Sequence, residues 1–331
     1  MKLKNAIVSS LLAAGLLLAA ATPVQAQMVL RFASEAARSD PQTAGGEKMN
    51  ELLKAKTKGA LEVKVFSDSS LGHAQAAISS ARAGTIDIVI SGSSNYTGIV
   101  PLLGVFDIPF IFKDTAHAYR VLDGKIGQDI MDKLPEFGLK GLAYWDTGWR
   151  ELTNSRGPVR SPADVKGLKV RTNGSPAHNE TWKLLGANPV PMPIGELYTA
   201  LEMKTVDAQE QSLGLLYSGK FYEVQKHLSL TNHAYSALLV AMNKAKFDAL
   251  SPEHQKAVIE AAREAGAYQR KLNNDNVAKI IAEVKKAGLQ VIENVEPGPF
   301  FEAAKPVRQM FTSKYGGEDF IKAIDAVRDA K

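Results

Sequence analysis

The sequence predicts an α/β protein of two similar lobes, each a mixed sheet flanked by helices, joined by shared strands and one long spanning helix. Three observations predict it. Strands alternate with helices in both halves; Gly84-Thr85-Ile86-Asp87 and Lys204-Thr205-Val206-Asp207 sit at matching places; and two long apolar stretches fall where one half gives way to the other. Such alternation implies parallel strands with right-handed crossovers. The spacing is far too long for a solenoid repeat.

In chain order, Lys2 and Lys4, an apolar stretch over 11–21 and Val24-Gln25-Ala26 read as a secretory leader, 1–26, cleaved before Gln27. That stretch is shorter than the roughly 20 residues that span a bilayer, and no later segment approaches that length, so no direct membrane insertion is expected. Residues 29–33 form a short strand, a helix starts at Pro41 with Met49, Leu52 and Leu53 on its apolar face, and Leu61, Val63 and Val65 alternate as a strand does. A helix over 74–83 ends at Gly84, and 86–90 is a nearly continuous apolar strand of the kind covered on both faces. The second half repeats this grammar with a strand over 167–170, helices over 176–185 and 194–203, and a strand over 206–210.

The apolar stretches 141–153 and 228–242 read as strands shared by both sheets. Ser251 caps a helix with Pro252 in its first turn. The apolar steps Val258, Ala261, Ala265, Tyr268 and Leu272, resumed at Val277, Ile280, Ile281 and Val284, carry it to Gly288, with a break plausible at 273–276. Unbroken, it would cross both lobes. The lobes then comprise 27–148 plus 237–276, and 149–236 plus 277–331, the final strand and helices finishing the second.

With 40 Lys+Arg against 35 Asp+Glu, the excess charge is small and dispersed, and no nucleic-acid partner is expected. The absence of cysteine excludes disulfides, thiolate metal sites and a cysteine nucleophile. Gly214 to Phe221 imitates a phosphate loop, but Phe221 replaces the hydroxyl residue that would hold magnesium. The six histidines show no metal-ligand spacing. Nothing in the sequence pairs an acid with a base, so catalysis has no positive evidence, and no enzyme, catalytic residue, cofactor or metal is expected.

Ligands of open α/β sheets bind beyond the carboxyl ends of the strands. This selects the loops 34–35, 67–71, 91–95, 171–173 and 209–211, rich in Ser, Asn, Gln and Gly, which suit a polar small molecule. Arg171 follows a buried strand directly, and its planar fork can grip a carboxylate through two parallel hydrogen bonds. Position alone leaves that reading beside an internal ion pair or a solvent contact. Arg150 could make a second anion contact, though pairing with Asp146 or Glu151 carries more weight.

The blocks Gly167-Leu168-Lys169-Val170-Arg171, Gly186-Ala187-Asn188-Pro189-Val190-Pro191-Met192, Glu196-Leu197-Tyr198-Thr199-Ala200-Leu201 and Val206-Asp207-Ala208-Gln209-Glu210 resemble the solute-binding proteins of tripartite ATP-independent periplasmic (TRAP) transporters, of the DctP type. Ser70-Leu71-Gly72, Phe106-Asp107-Ile108-Pro109-Phe110 and Arg150-Glu151-Leu152-Thr153-Asn154 extend the resemblance over the whole mature chain. It implies a two-lobed, type II-like periplasmic binding protein that closes around an organic acid and delivers it to membrane permease subunits. It puts the carboxylate clamp on Arg171, a second ligand contact on Arg150 and a polar contact on Gln211. Ala74 and Gln75 stand where the family often has an acid and an arginine, and Ile194 where some members present an aromatic ring, so another member's ligand does not transfer.

Glu35, Gln75, Ser93, Asn95, Asn173 and Gln211 are expected to meet hydroxyls, and Trp145, Trp149 or Tyr235 to pack on a sugar ring or the hinge. A uronate or other sugar acid is favoured. A C4-dicarboxylate or aromatic acid stays open as ligand, and an ABC-type binding protein or a secreted enzyme as function.

Overall fold

A computed structural model describes residues 27–330, and the leader read over 1–26 lies outside the described residues. Nine strands form one continuous sheet: β1 (Met28–Ala33), β2 (Leu61–Phe66), β3 (Ile88–Gly92), β4 (Leu139–Asn154), β5 (Lys169–Thr172), β6 (Asn188–Pro191), β7 (Ala208–Ser212), β8 (His227–Asn243) and β9 (Gln290–Ile292). Their order is β2-β1-β3-β8-β4-β7-β5-β6, with β9 on β8.

The order is palindromic. On one side β1, β2 and β3 are parallel, and β3 meets β8 antiparallel at 238–242. On the other, β5, β6 and β7 are parallel, and β7 meets β4 antiparallel at 150–154. The expected crossing strands are therefore present, each giving one end to each lobe. Their mutual register slips at Gly141/Ala143, Asp146/Gly148 and Arg150/Leu152. Bulges bend a strand and raise its twist, which lets a single ladder turn from one lobe's sheet into the other's.

The matched strand entries have a shared cause. Asp87 accepts the Arg31 amide at 2.7 Å, and Asp207 accepts the Lys169 amide at 2.9 Å. Each carboxylate closes the start of a parallel ladder, β1–β3 and β5–β7, where an N–H would otherwise be left unpaired.

Each sheet half is covered on both faces. In the first lobe Ile88, Ile90, Val240 and Met242 point to one core with Met49, Leu53 and Val258, while Val89, Leu239 and Ala241 point to the other with Phe106 and Ile78. In the second, Val170, Ala208 and Trp182 form one core and Leu197, Val206, Leu213 and Leu228 the other. This accounts for the unbroken apolar runs of β3 and β8, which alternate between two buried faces.

The helix Pro252–Lys286 is continuous and, at about 1.5 Å per residue, roughly 50 Å long. Ser251 caps it by accepting the His254 amide. Val258, Ala261 and Ala265 enter the first lobe's core, and Ile280 and Val284 the second's. No break occurs at 273–276, because the buried Asn273 side chain turns inward to β4 and donates to the Asp146 carbonyl at 2.7 Å instead of competing for its own backbone. Gln269 and Arg270 donate to the carbonyls of Asp146 and Tyr144, pinning mid-helix to the bend of β4. Gly266 permits this approach: a Cβ there would lie 2.6 Å from the Trp145 ring.

The assignment of all of 277–331 to the second lobe needs correction. Phe311, Ile321 and Ile324, on the helices Pro306–Tyr315 and Glu318–Ala326, join the first lobe's core with Leu103 and Tyr144. The His117 Nε2 meets the Ile324 carbonyl there at 2.8 Å. Helical periodicity shows which face of these helices is apolar, not which sheet it covers.

Candidate functional site

Between the lobes lies a cavity of about 400 Å³, a volume ordinary for a small-molecule site. It opens where the carboxyl ends of β1, β3, β5 and β7 converge on the bends of β4 and β8. Of the sequence-selected residues, Glu35, Gln75, Asn95, Arg150, Arg171, Asn173 and Gln211 line it.

Three do not. Ser93 is buried beneath the turn after β3, whose Ser91, Gly92, Ser94 and Asn95 face the cavity instead. Trp149 and Tyr235 pack edge-to-face at 5.3 Å on the far side of the crossing strands. There Trp149 donates to Thr115 and Tyr235 to Asp146. They brace the hinge. Trp145 is buried against the long helix, donating to the Ala262 carbonyl. The loop 67–71 also stays off the wall, and the next helix reaches it through His73, Ala74 and Gln75.

Arg171 ends β5 with 2% of its surface exposed. Its Nε and Nη2 donate to the Met192 carbonyl at 3.0 and 2.7 Å, while Nη1 has no partner among the described residues. The acceptor sits just beyond β6, an edge strand that tolerates Pro189 and Pro191 because its outer side pairs with nothing. Burial pushes the Arg171 guanidinium down to about 10, against the pull of Glu210 and Glu35. Among the described wall residues Arg171 is thus a buried cation answered only by a carbonyl.

Arg150, equally buried, is the opposite case. Its Nε and Nη2 hold the Glu210 carboxylate as a fork, Nη2 also reaches the Glu210 carbonyl at 2.6 Å, and Nη1 donates to Ser236 at 2.6 Å. The expected partners, Asp146 and Glu151, are not used. Counting five N–H groups, only one on Nη1 is left for a ligand. Burial alone would raise the Glu210 carboxyl, but Arg150, His178 and His233 outweigh it and hold the group well below the usual range. Burial keeps His178 neutral, pushed down to about 3.

The wall also includes Ser94, inside the selected loop 91–95, and three polar residues that the sequence reading missed: Asp107, Thr147 and Ser236. Asp107 had a signal, an acid inside the apolar run Phe106-Asp107-Ile108-Pro109-Phe110, where a carboxylate must find a partner. Its Oδ2 accepts from Ser175 at 2.8 Å, and burial pushes it up to about 7. Glu35 is likewise raised by burial, opposed by the Ala74 amide, which donates to it at 2.6 Å.

The lobes touch around the cavity. Asn173 donates to Ser94 at 2.9 Å, Ser175 to Asp107, and Ser218 to Asp40 at 2.8 Å. Each bond joins the second lobe to the first, so the cavity exists as an enclosure only while they hold.

Comparison with known proteins agrees with this geometry. Residues 32–314 match the family model DctP, bacterial extracellular solute-binding protein, family 7. The 2,3-diketo-L-gulonate-binding periplasmic protein YiaO of Escherichia coli K12 is 50% identical, with 99% of this chain and 100% of that one aligned. A TRAP periplasmic solute-binding protein of Polaromonas sp. JS666, bound to D-erythronate, superposes with a TM-score of 0.89 at 37% identity, covering 92% of this chain and 100% of its own. The sugar acid binding protein DctPAm of Advenella mimigardefordensis, in complex with galactonate, gives 0.88 at 33% identity over 92% and 99% of the two chains. With the palindromic sheet, the shared helix and an unanswered guanidinium at the interlobe cavity, these matches identify the chain as a member of the DctP family, the solute-binding proteins of TRAP transporters.

Proposed function

We propose that the protein captures a monocarboxylic sugar acid in the interlobe cavity and hands it, chemically unchanged, to the membrane subunits of a TRAP transporter from the periplasmic side. The observation that carries this reading is the Nη1 group of Arg171, a buried charged donor without a partner on the cavity wall. A carboxylate placed there restores the missing charge-assisted hydrogen bonds. Asn95, Gln75, Asn173, Gln211 and Ser94 then offer neutral donors and acceptors to hydroxyls. The relatives support the ligand class: diketogulonate, erythronate and galactonate each carry one carboxylate on a hydroxylated chain.

Binding is a closing equilibrium. The carboxylate engages the second lobe at Arg171, and hydroxyls reach the first lobe only when Asn173–Ser94 and Ser175–Asp107 have formed, so ligand shifts the population toward the closed form. We place the pivot at the bends of β4 and β8, and the lobe boundaries at 148/149 and 236/237, with the last two helices returned to the first lobe.

The test is mass spectrometry of any small molecule that co-purifies, followed by titration calorimetry against aldonates, uronates, C4-dicarboxylates and aromatic acids. Tight binding of one hydroxylated monocarboxylate, recovered unaltered, is expected. Preference for succinate or an aromatic acid, or a changed product, would refute the reading.

A further inference from the structure

We infer that Glu35, aided by Asp107, sets the charge limit of the cavity: it admits an acid with one carboxylate and turns away the corresponding diacid. This inference rests on the sugar-acid reading and adds to it the feature of the ligand that is selected against.

The argument is an accounting of charge on the cavity wall. Two guanidiniums face the cavity, and that of Arg150 is matched by Glu210. Arg171 is left without a carboxylate and Arg150 with a single free N–H on Nη1, so one carboxylate is answered in full, and beyond these two guanidiniums the only other basic side chain among the described wall residues is His73. That histidine stands half exposed at the rim, its Nδ1 3.9 Å from Glu35.

The wall also carries two carboxylates of its own, and neither is paired with an arginine or lysine among the described residues. Only the Ala74 amide donates to Glu35, through Oε1, which leaves Oε2 open. Asp107 accepts from Ser175 at Oδ2, and its Oδ1 lies 4.0 Å from the His178 Nε2, beyond hydrogen-bond distance. Ionised, a carboxylate accepts hydrogen bonds and donates none, a state that the buried Asp107 carboxyl, pushed up to about 7, reaches fully only above that pH, where the comparison is to be made. A ligand hydroxyl opposite Glu35 Oε2 or Asp107 Oδ1 therefore gains a bond. A second ligand carboxylate at the same place sets acceptor against acceptor and charge against like charge, and its penalty discriminates without adding affinity for the correct ligand.

Matched ligands isolate the effect. Each aldonate that binds is compared by titration calorimetry with the aldarate obtained when its terminal CH2OH is a carboxyl, which keeps chain length and the other hydroxyls. For the wild-type protein the diacid should bind at least about 100-fold more weakly, a like-charge contact being worth several kcal/mol. In Glu35→Gln, which keeps the shape and the acceptor for the Ala74 amide, this ratio should narrow by about tenfold or more. Asp107→Asn, which still accepts from Ser175, should narrow it in the same direction. Equal binding of both acids by the wild type overturns the inference without any variant. Variants that weaken both acids alike, leaving the ratio fixed, overturn it too. If no monocarboxylate binds at all, the sugar-acid reading fails and this inference with it, an outcome distinct from a ratio that does not move.

Discussion

Two buried arginines sit on one cavity wall and have opposite meanings. Arg150, 3% exposed, meets a carboxylate, a carbonyl and a hydroxyl; Arg171, 2% exposed, meets one carbonyl. Burial therefore does not distinguish a binding residue from an architectural one. A count of donors and their acceptors does. The charge that the fold has already answered holds the fold together, and the charge it leaves unanswered is the one to which the proposed function assigns the ligand.

The comparison breaks most directly at Arg171. Arg171→Ala should weaken ligand binding by about 3–5 kcal/mol, roughly two to three and a half decades in Kd, because the ligand's carboxylate is enclosed without its partner. Calorimetry reads the loss. The urea midpoint of the ligand-free protein should hold or rise, since an under-satisfied buried charge has been removed. A fall in that midpoint would make Arg171 an architectural residue like its neighbour.

Arg150→Ala should show the mirror image. Removing it strands Glu210 in the core and should cost about 3–5 kcal/mol of stability in urea denaturation without ligand. Glu210→Gln in the same chain should recover part of that loss, because the stranded group is then neutral. If the single variant unfolds at the wild-type midpoint, the pair is not structural.

A third charge sharpens the contrast from the acid side. Glu151, next to Arg150 on β4, is buried without an ion-pair partner among the described residues and accepts the Asn232 amide at 2.9 Å. Burial pushes it up to about 8, whereas Glu210, with its arginine, is held low. A raised folded-state value means that stability is fully present below the ordinary carboxylate range and is lost as pH rises through about 8. Between pH 5 and pH 9 the wild type should lose on the order of 3 kcal/mol through this group. Glu151→Gln should flatten that slope in urea titrations at the two pH values, and an unchanged slope would show that the carboxyl is ionised throughout.

What the sequence disclosed follows the physics of periodicity. The crossing strands were expected over 141–153 and 228–242 and lie at Leu139–Asn154 and His227–Asn243, because a strand stays apolar over such a length only where both of its faces are buried. The Arg171 position was legible because a charge at the end of a buried strand must face a cavity or a partner. The partner of Arg150 was not, because Glu210 is 60 residues away and reaches it only through β4–β7 pairing. Of the two places expected for Trp149 and Tyr235, a sugar ring or the hinge, they take the second, packing on each other away from the cavity. The slips at Asp146/Gly148 and Arg150/Leu152 invert side-chain parity where the cavity begins, so that Thr147 and Ser236 line it instead. Bulges carry no compositional mark that alternation rules can detect.

The smallest expected effect lies between the two arginines, at the Asn173–Ser94 bond. The Asn173 Oδ1 is committed within its own lobe, accepting the Ser175 amide at 3.1 Å and meeting the His178 Nδ1 at 3.1 Å, so only Nδ2 reaches across to Ser94. The bond is neutral, and its net worth is about 0.5–1.5 kcal/mol. Because it forms only when the lobes close, Ser94→Ala should shift the open–closed equilibrium by that amount and raise Kd by roughly two- to tenfold. The change should fall on the dissociation rate, since encounter at Arg171 precedes closure, and stopped-flow measurement separates the two rates. A slower association with unchanged dissociation would mean that closure comes first, and that the unanswered guanidinium is not where the ligand arrives.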